Sequence, residues 1–125
     1  MRMIEMDPST TLGAQMEHDA GPIVLLNVFT VAPHEADALV EAWAADAALM
    51  QRQPGFVSAQ FHRGVGGSAF LNYAEWATLA DFRRAFANPE FQAGLRRYPP
   101  STVASPHVFR KVAVPGICGD SDASN

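Results

Sequence analysis

An α+β domain of the ferredoxin-like type is what the 125-residue chain predicts, and three observations point to it. Strand-like and helix-like runs alternate in the order β-α-β-β-α-β, the split βαβ pattern. The glycine-rich stretch Gly64-Val65-Gly66-Gly67-Ser68 joins two of the strand-like runs as an antiparallel hairpin. The first strand is apolar on both faces, which requires cover on both sides of the sheet.

Residues 1–21 are polar, rich in methionine and without clear periodicity, and read as a flexible N-terminal arm. Residues 22–114 hold the folded domain. The first strand runs over 22–32, with Ile23, Leu25, Phe29 and Val31 on one face and Val24, Leu26 and Val28 on the other. Asn27 interrupts the first of these faces. Pro33 suits a helix start, and Ala36, Leu39, Val40, Trp43, Ala47 and Met50 recur at helical spacing, so 34–52 reads as an amphipathic helix with one buried stripe. Pro54-Gly55 ends it. A second strand follows over 56–63 and a third over 69–76. Thr78, with Asp81 three residues on, resembles a capping box, and Leu79, Phe82 and Phe86 mark the buried face of a short helix. Asn88 and Pro89 restart a helix as N-cap and first residue, with Phe91 and Leu95 inward and Tyr98-Pro99-Pro100 as its end. The last strand spans 103–114, its beginning confined to an edge or bulge by Pro106. Residues 115–125 read as a disordered tail.

Composition excludes several functions. A net charge of −4 and no lysine or arginine cluster argue against nucleic acid as a partner. No apolar run approaches the roughly 18–20 residues of a membrane span, and the first residues carry no apolar signal core, so a cytoplasmic protein is expected. Cys118 stands alone. The four histidines, His18, His34, His62 and His107, have no ligand spacing, so no metal is expected. The glycine cluster lacks a Lys-Ser/Thr ending and joins two strands instead of opening a helix, and no dinucleotide fingerprint follows a strand. No cofactor is expected.

The chemistry gathers on the third strand. Asn72 and Trp76 are four residues apart and face the same way. A buried amide must find partners or cost about 1–3 kcal/mol, and either a loop backbone or a ligand can serve. Asn27 is a second amide inside an apolar strand, and the hairpin brings His62 toward the Asn72 strand. With both helices on one face, the other face of the sheet stays bare in a monomer, which predicts a homodimer with sheets packed together.

Over residues 22–114 the chain resembles the antibiotic biosynthesis monooxygenase family of dimeric ferredoxin-like α+β barrels. The likeness lies in Asn27, in Pro54-Gly55-Phe56, in Asn72-Tyr73-Ala74 followed by Trp76, and in Asn88-Pro89 followed by Phe91. Within that family it is most similar to the cofactor-independent, quinone-forming oxygenases of aromatic polyketide pathways. The resemblance implies a small aromatic substrate and O2 as partners, with Asn27, His62, Asn72, Trp76 and Arg96 as catalytic residues. Asn72 and Trp76 would hold the substrate's oxygen, Asn27 would orient a hydroxyl or peroxide, His62 would be the base and Arg96 would offset negative charge. Phe29, Phe70, Phe82 and Phe86 would form the substrate-binding wall. Phe82 stands where the actinorhodin-type oxygenase carries a tyrosine, which removes a phenolic proton donor. A haem-degrading branch matches less well, because its tryptophan and iron-ligating histidine fall on Ala85 and Leu95. His62 as a solvated strand residue and Arg96 as a surface charge remain open, as do a non-catalytic binding dimer and an oxygen-independent cyclase or isomerase.

Overall fold

The computed structural model describes residues 1–119. Its apolar central run, Ile23–Thr30, is a strand paired along both edges, as its two covered faces require. In chain order the elements are β1 (Arg2–Met3), α1 (Leu12–Gln15), β2 (Ile23–Thr30), α2 (Ala36–Met50), β3 (Phe56–Arg63), β4 (Ala69–Trp76), α3 (Leu79–Phe86), α4 (Pro89–Gly94) and β5 (Val103–Phe109). The sheet order is β1-β5-β2-β4-β3. Strands β2, β3, β4 and β5 form the predicted ferredoxin-like antiparallel set, and β1 adds a short parallel strand beside β5 that makes the sheet mixed.

Local signals explain the helix ends. Thr78 Oγ1 accepts from the Asp81 N–H at 3.0 Å and donates to Asp81 Oδ2 at 2.8 Å, so the predicted cap of α3 is formed. Asn88 caps α4 by accepting from the Glu90 N–H at 2.8 Å, with Pro89 in the first turn. Gly55 has φ of +87°, and a Cβ there would collide with the Asp81 carboxylate, so the turn after α2 needs glycine twice over.

The buried stripe of α2 is rotated from the predicted one. Val40 is 37% exposed, and the inward face is Ala36, Leu39, Ala42, Asp46, Leu49 and Met50. Both stripes fit a 3.6-residue period; packing against the sheet selects the one that turns Asp46 inward. The last strand ends at Phe109 instead of Val114, because its partner runs out where Val24 pairs with Phe109. Pro106 sits inside this strand opposite Asn27. Its missing donor belongs to the side of β5 on which Ala104 and Val108 turn their backbone groups away from β2, so the proline removes no N–H from the pairing with β2.

The arm at 1–21 lies against that outer side of β5. The Arg2 and Ile4 N–H groups donate to the carbonyls of Thr102 and Ala104, each at 2.9 Å. Further along, the Gln15 side chain replaces a neighbouring strand: its amide donates to the Val108 carbonyl and accepts from the Val108 N–H, both at 2.9 Å. Leu12 is buried with Trp76, Leu79 and Phe82. An exposed strand edge is a template for unwanted pairing, and the arm covers this one. Of the tail expected at 115–125, residues 115–119 include a turn closed by the Val114–Cys118 bridge, and 120–125 lie outside the described residues.

Replacing Gln15 with alanine strands both backbone groups of Val108. The expected loss is about 1–3 kcal/mol in urea unfolding, with faster hydrogen exchange at Val108 and little change at Leu25 on the neighbouring strand.

Candidate active site

The site follows from the register of β2, β4 and β3. On the helix-facing side of the sheet, cross-strand rows run Ile23, Trp76, Phe56; then Leu25, Ala74, Ala59; then Asn27, Asn72, Phe61; then Phe29, Phe70, Arg63. The two asparagines are therefore direct partners across the β2–β4 pair. The small side chains of Ala59 and Ala74 leave space beneath α2, and a cavity of about 70 Å³ opens there. Asn27, Asn72, Trp76, Phe29, Phe82 and Phe86 all line it.

Each polar group on the sheet wall has a defined state. Asn27 Oδ1 accepts from the Ser105 N–H at 3.0 Å, which fixes the amide and leaves its NH2 for the cavity. Asn72 Oδ1 and Trp76 Nε1 are buried with no hydrogen-bond partner. Trp76 is held edge-on by Phe56, with ring centres 5.4 Å apart at 90°, and by Phe82 at 5.9 Å and 62°. With Trp76 2% exposed, these contacts hold the indole in its position. Phe86 continues this wall, 5.8 Å from Phe82. Trp43 also lines the cavity and stacks on Phe61 at 4.2 Å and 7°, so the lining is rich in aromatic side chains.

Three expected site residues lie elsewhere. His62 pairs with Leu71, one position off the Asn72 row, so its side chain is exposed on the opposite face of the sheet, with Nδ1 3.4 Å from the Leu71 carbonyl oxygen. In a strand a single position reverses the face. Arg96 is exposed in the turn Leu95–Arg97 and does not line the cavity. Phe70 is buried behind Phe61, stacked at 5.3 Å, and packs the core.

The cavity also holds residues that sequence reasoning missed. Asp46 on α2 and Tyr98 after α4 line it, and so do Met1 and Met3 of the arm. Asp46 is only 5% exposed and its Oδ2 has no hydrogen-bond partner. Burial raises its pKa above the usual carboxylate range, partly offset by the Tyr98 hydroxyl and the Arg97 charge. Tyr98 is likewise pushed above the usual phenol range, by burial first and then by Asp46. A signal for Asp46 existed: it falls seven residues after Leu39 and four before Met50, an inward position of a helix. Among the described residues, five buried side-chain polar atoms lack partners, and three of them, on Asp46, Asn72 and Trp76, belong to residues that line this one cavity. No cluster of three or more metal-ligand side chains occurs among the described residues, and no described helix is long and apolar enough to cross a membrane.

A family model described as antibiotic biosynthesis monooxygenase matches residues 22–97. Tetracenomycin-F1 monooxygenase of Streptomyces glaucescens is 43% identical over 72 residues, which cover 54% of this chain and 62% of that protein. The match thus spans less than two thirds of that relative. SnoaB, a cofactor-independent oxygenase from Streptomyces nogalater, has a TM-score of 0.70 at 26% identity, covering 78% of this chain and 99% of its own. A conserved protein from Methanosarcina mazei, with a TM-score of 0.67 at 9% identity over 74% of this chain and 94% of its own, shares the fold.

A buried amide oxygen without a partner destabilises the empty protein. Asn72→Leu, of similar shape, is expected to leave urea stability unchanged or raise it by about 1–2 kcal/mol, whereas Phe82→Ala in the adjoining core costs about 3–5 kcal/mol.

Proposed function

The chain belongs to the antibiotic biosynthesis monooxygenase family, and from that premise we propose that it is a cofactor-independent monooxygenase acting on a polycyclic phenol. The substrate is an anthrone- or naphthacenone-like polyketide intermediate, converted to a quinone with O2. The observation that carries this reading is that the Trp76 N–H and the Asn72 Oδ1 are both buried without partners on residues that line one aromatic-rich cavity. The likeness to tetracenomycin-F1 monooxygenase and to SnoaB supports it.

Triplet oxygen reacts slowly with closed-shell molecules, so an enzyme without flavin or metal needs a substrate that supplies the electrons itself. A deprotonated anthrone does so. Its delocalised anion passes one electron to O2, the radical pair recombines as a peroxide, and loss of water leaves the carbonyl of the quinone. One oxygen atom enters the product and the other leaves as water, while two C–H bonds supply the reducing electrons. The protein's task is to make the anion accessible. The Trp76 N–H and the Asn72 NH2 donate to the substrate oxygen on which negative charge grows, while Asn72 Oδ1 is left to accept from a phenolic hydroxyl, in a site where such bonds are worth more than in water. The Asn27 NH2, aimed by Ser105, orients the neighbouring hydroxyl or the peroxide.

The cavity, at 70 Å³, is smaller than the roughly 300–1,000 Å³ usual for small-molecule sites. A fused-ring ligand therefore needs the wall to yield, and the flexible Met1 and Met3 side chains are the part of it most able to do so.

The reading includes a homodimer. On the sheet face away from the helices Val28, Tyr73 and Phe109 are 37%, 38% and 39% exposed, an apolar surface suited to a second copy packed sheet to sheet about a two-fold axis. His62 lies on that face.

With dithranol as substrate, oxygen uptake and quinone absorbance should exceed the spontaneous rate and survive chelation. Asn72→Ala and Trp76→Phe should each lower kcat about 10²–10³-fold. Loss of turnover on chelation, or product formed under nitrogen, would overturn the cofactor-free oxygenase. In sedimentation the chain should run as a dimer, and Val28→Glu should run as a monomer.

A further inference from the structure

We propose that Asp46 is the base that removes the substrate's acidic proton, with Tyr98 positioning its carboxylate. This rests on the oxygenase reading above and assigns the step that His62 cannot reach from the opposite face of the sheet.

Geometry carries the assignment. Asp46 and Tyr98 bear the only ionisable side chains among the cavity-lining residues. Asp46 is 95% removed from solvent, and Oδ2 has no hydrogen-bond partner. The carboxylate is braced from behind: a Cβ on Gly94 would stand 2.6 Å from Asp46 Oδ1, so glycine at that place on α4 makes the room it occupies. Its charged and titratable neighbours are Tyr98 and Arg97 from the turn after α4. The sheet wall opposite offers only the neutral Asn27, Asn72 and Trp76, and α3 offers Phe82 and Phe86. A flat substrate between the two walls thus has donors for its oxygen on the sheet and an acceptor for its proton on α2. Burial raises the carboxyl pKa, which moves the base closer to the working pH without removing its charge partner.

The proton balance closes on this one group. The Asp46 carboxylate takes a proton from the methylene carbon, giving the carboxylic acid and the delocalised carbanion. The carbanion combines with O2 to a peroxide anion, which takes the proton back. Asp46 then removes the second proton from the same carbon as the O–O bond breaks, and the departing hydroxide takes that proton to leave as water. The carboxylate is restored.

The same placement has a thermodynamic sign. The folded-state pKa of Asp46 lies above its unfolded value, so its contribution favours folding at low pH and is lost as pH rises through the folded pKa. Asp46→Asn should therefore melt above the wild type at pH 7–8, with the difference vanishing toward pH 3.

The decisive experiment separates proton removal from oxygen chemistry. The full-length protein and its variants are incubated with dithranol in D2O under nitrogen, and exchange of the methylene protons is followed by NMR, with oxygen uptake measured in parallel. Wild type should exchange faster than buffer, and Asp46→Asn should lose about 10²–10⁴ of that enhancement with dithranol affinity within about threefold. Tyr98→Phe, which withdraws a group that lowers the Asp46 pKa, should move the acidic limb of the exchange profile to higher pH. Exchange without oxygen uptake would leave Asp46 as a base and remove the oxygenase reading. Exchange absent in wild type, or unchanged in Asp46→Asn, would overturn the assignment; if Asp46→Asn does not fold, an unmoved limb in Tyr98→Phe overturns it instead.

Discussion

The register between β2 and β4 is the constraint on which the site depends. It runs unbroken from Ile23 opposite Trp76 to Thr30 opposite Ala69, and it sets Asn27 opposite Asn72 on the side covered by helices. A slip of one residue would turn β4 over relative to β2 and leave Asn72 and Trp76 on the face opposite Asn27. What prevents the slip is apolar: the Leu25–Ala74 and Phe29–Phe70 pairs flank the asparagines, and Phe29, Phe70, Ala74 and Trp76 are buried. The hydrophobic pattern thus places a polar row in which Asn27 Oδ1 is hydrogen-bonded and Asn72 Oδ1 is not. His62 shows the same rule in reverse, since one position along β3 separates it from the row that faces the cavity.

The cavity lies between two packed clusters, one around Trp76 and Phe82 and the other around Phe29 and Leu39. Either cluster could have closed over Ala59 and Ala74 had apolar residues stood at 27, 46 and 72. Instead the walls carry an acid, an amide and an indole with atoms that find no partner, each at a cost of about 1–3 kcal/mol while the cavity is empty. Set against the roughly 5–15 kcal/mol of net stability typical of a domain, three such groups form a large deficit. A bound molecule with one acceptor and one donor edge would relieve it. Clustered orphan groups are thus a sharper mark of a site than any single residue, and the same clustering links Asp46 to the two sheet residues.

The N-terminal arm lies outside the span matched by the family model, which begins at residue 22. It nonetheless completes two parts of the molecule. Its backbone and Gln15 occupy the free edge of β5, and Met1 and Met3 reach the cavity wall. Covering an edge and lining a cavity are linked here, because β5 supplies Pro106 to the wall and Ser105 to the Asn27 carbonyl. Displacement of the arm would widen the cavity and uncover the edge together.

How much was legible in the sequence follows from the range of each interaction. The order of strands and helices, the Thr78 and Asn88 caps, the Gly55 turn and the shared face of Asn72 and Trp76 rest on period, local hydrogen bonds and backbone freedom, which a few adjacent residues determine. Period also singled out Asn27, Asn72 and Trp76, whereas Phe29, Phe82 and Phe86 joined them only through the family resemblance; all six line one cavity. Tertiary structure decided the rest. The rotation of α2 that turns Asp46 inward and Val40 outward comes from packing against the sheet, since the helical period alone admits both stripes. The side taken by His62 depends on which residue of β4 it meets, and the place of the arm on contacts that span the chain from Gln15 to Val108. A charged residue reads as surface in a sequence because burial is a property of its surroundings, and for Asp46 those surroundings are assembled only when α2, the turn after α4 and the sheet come together.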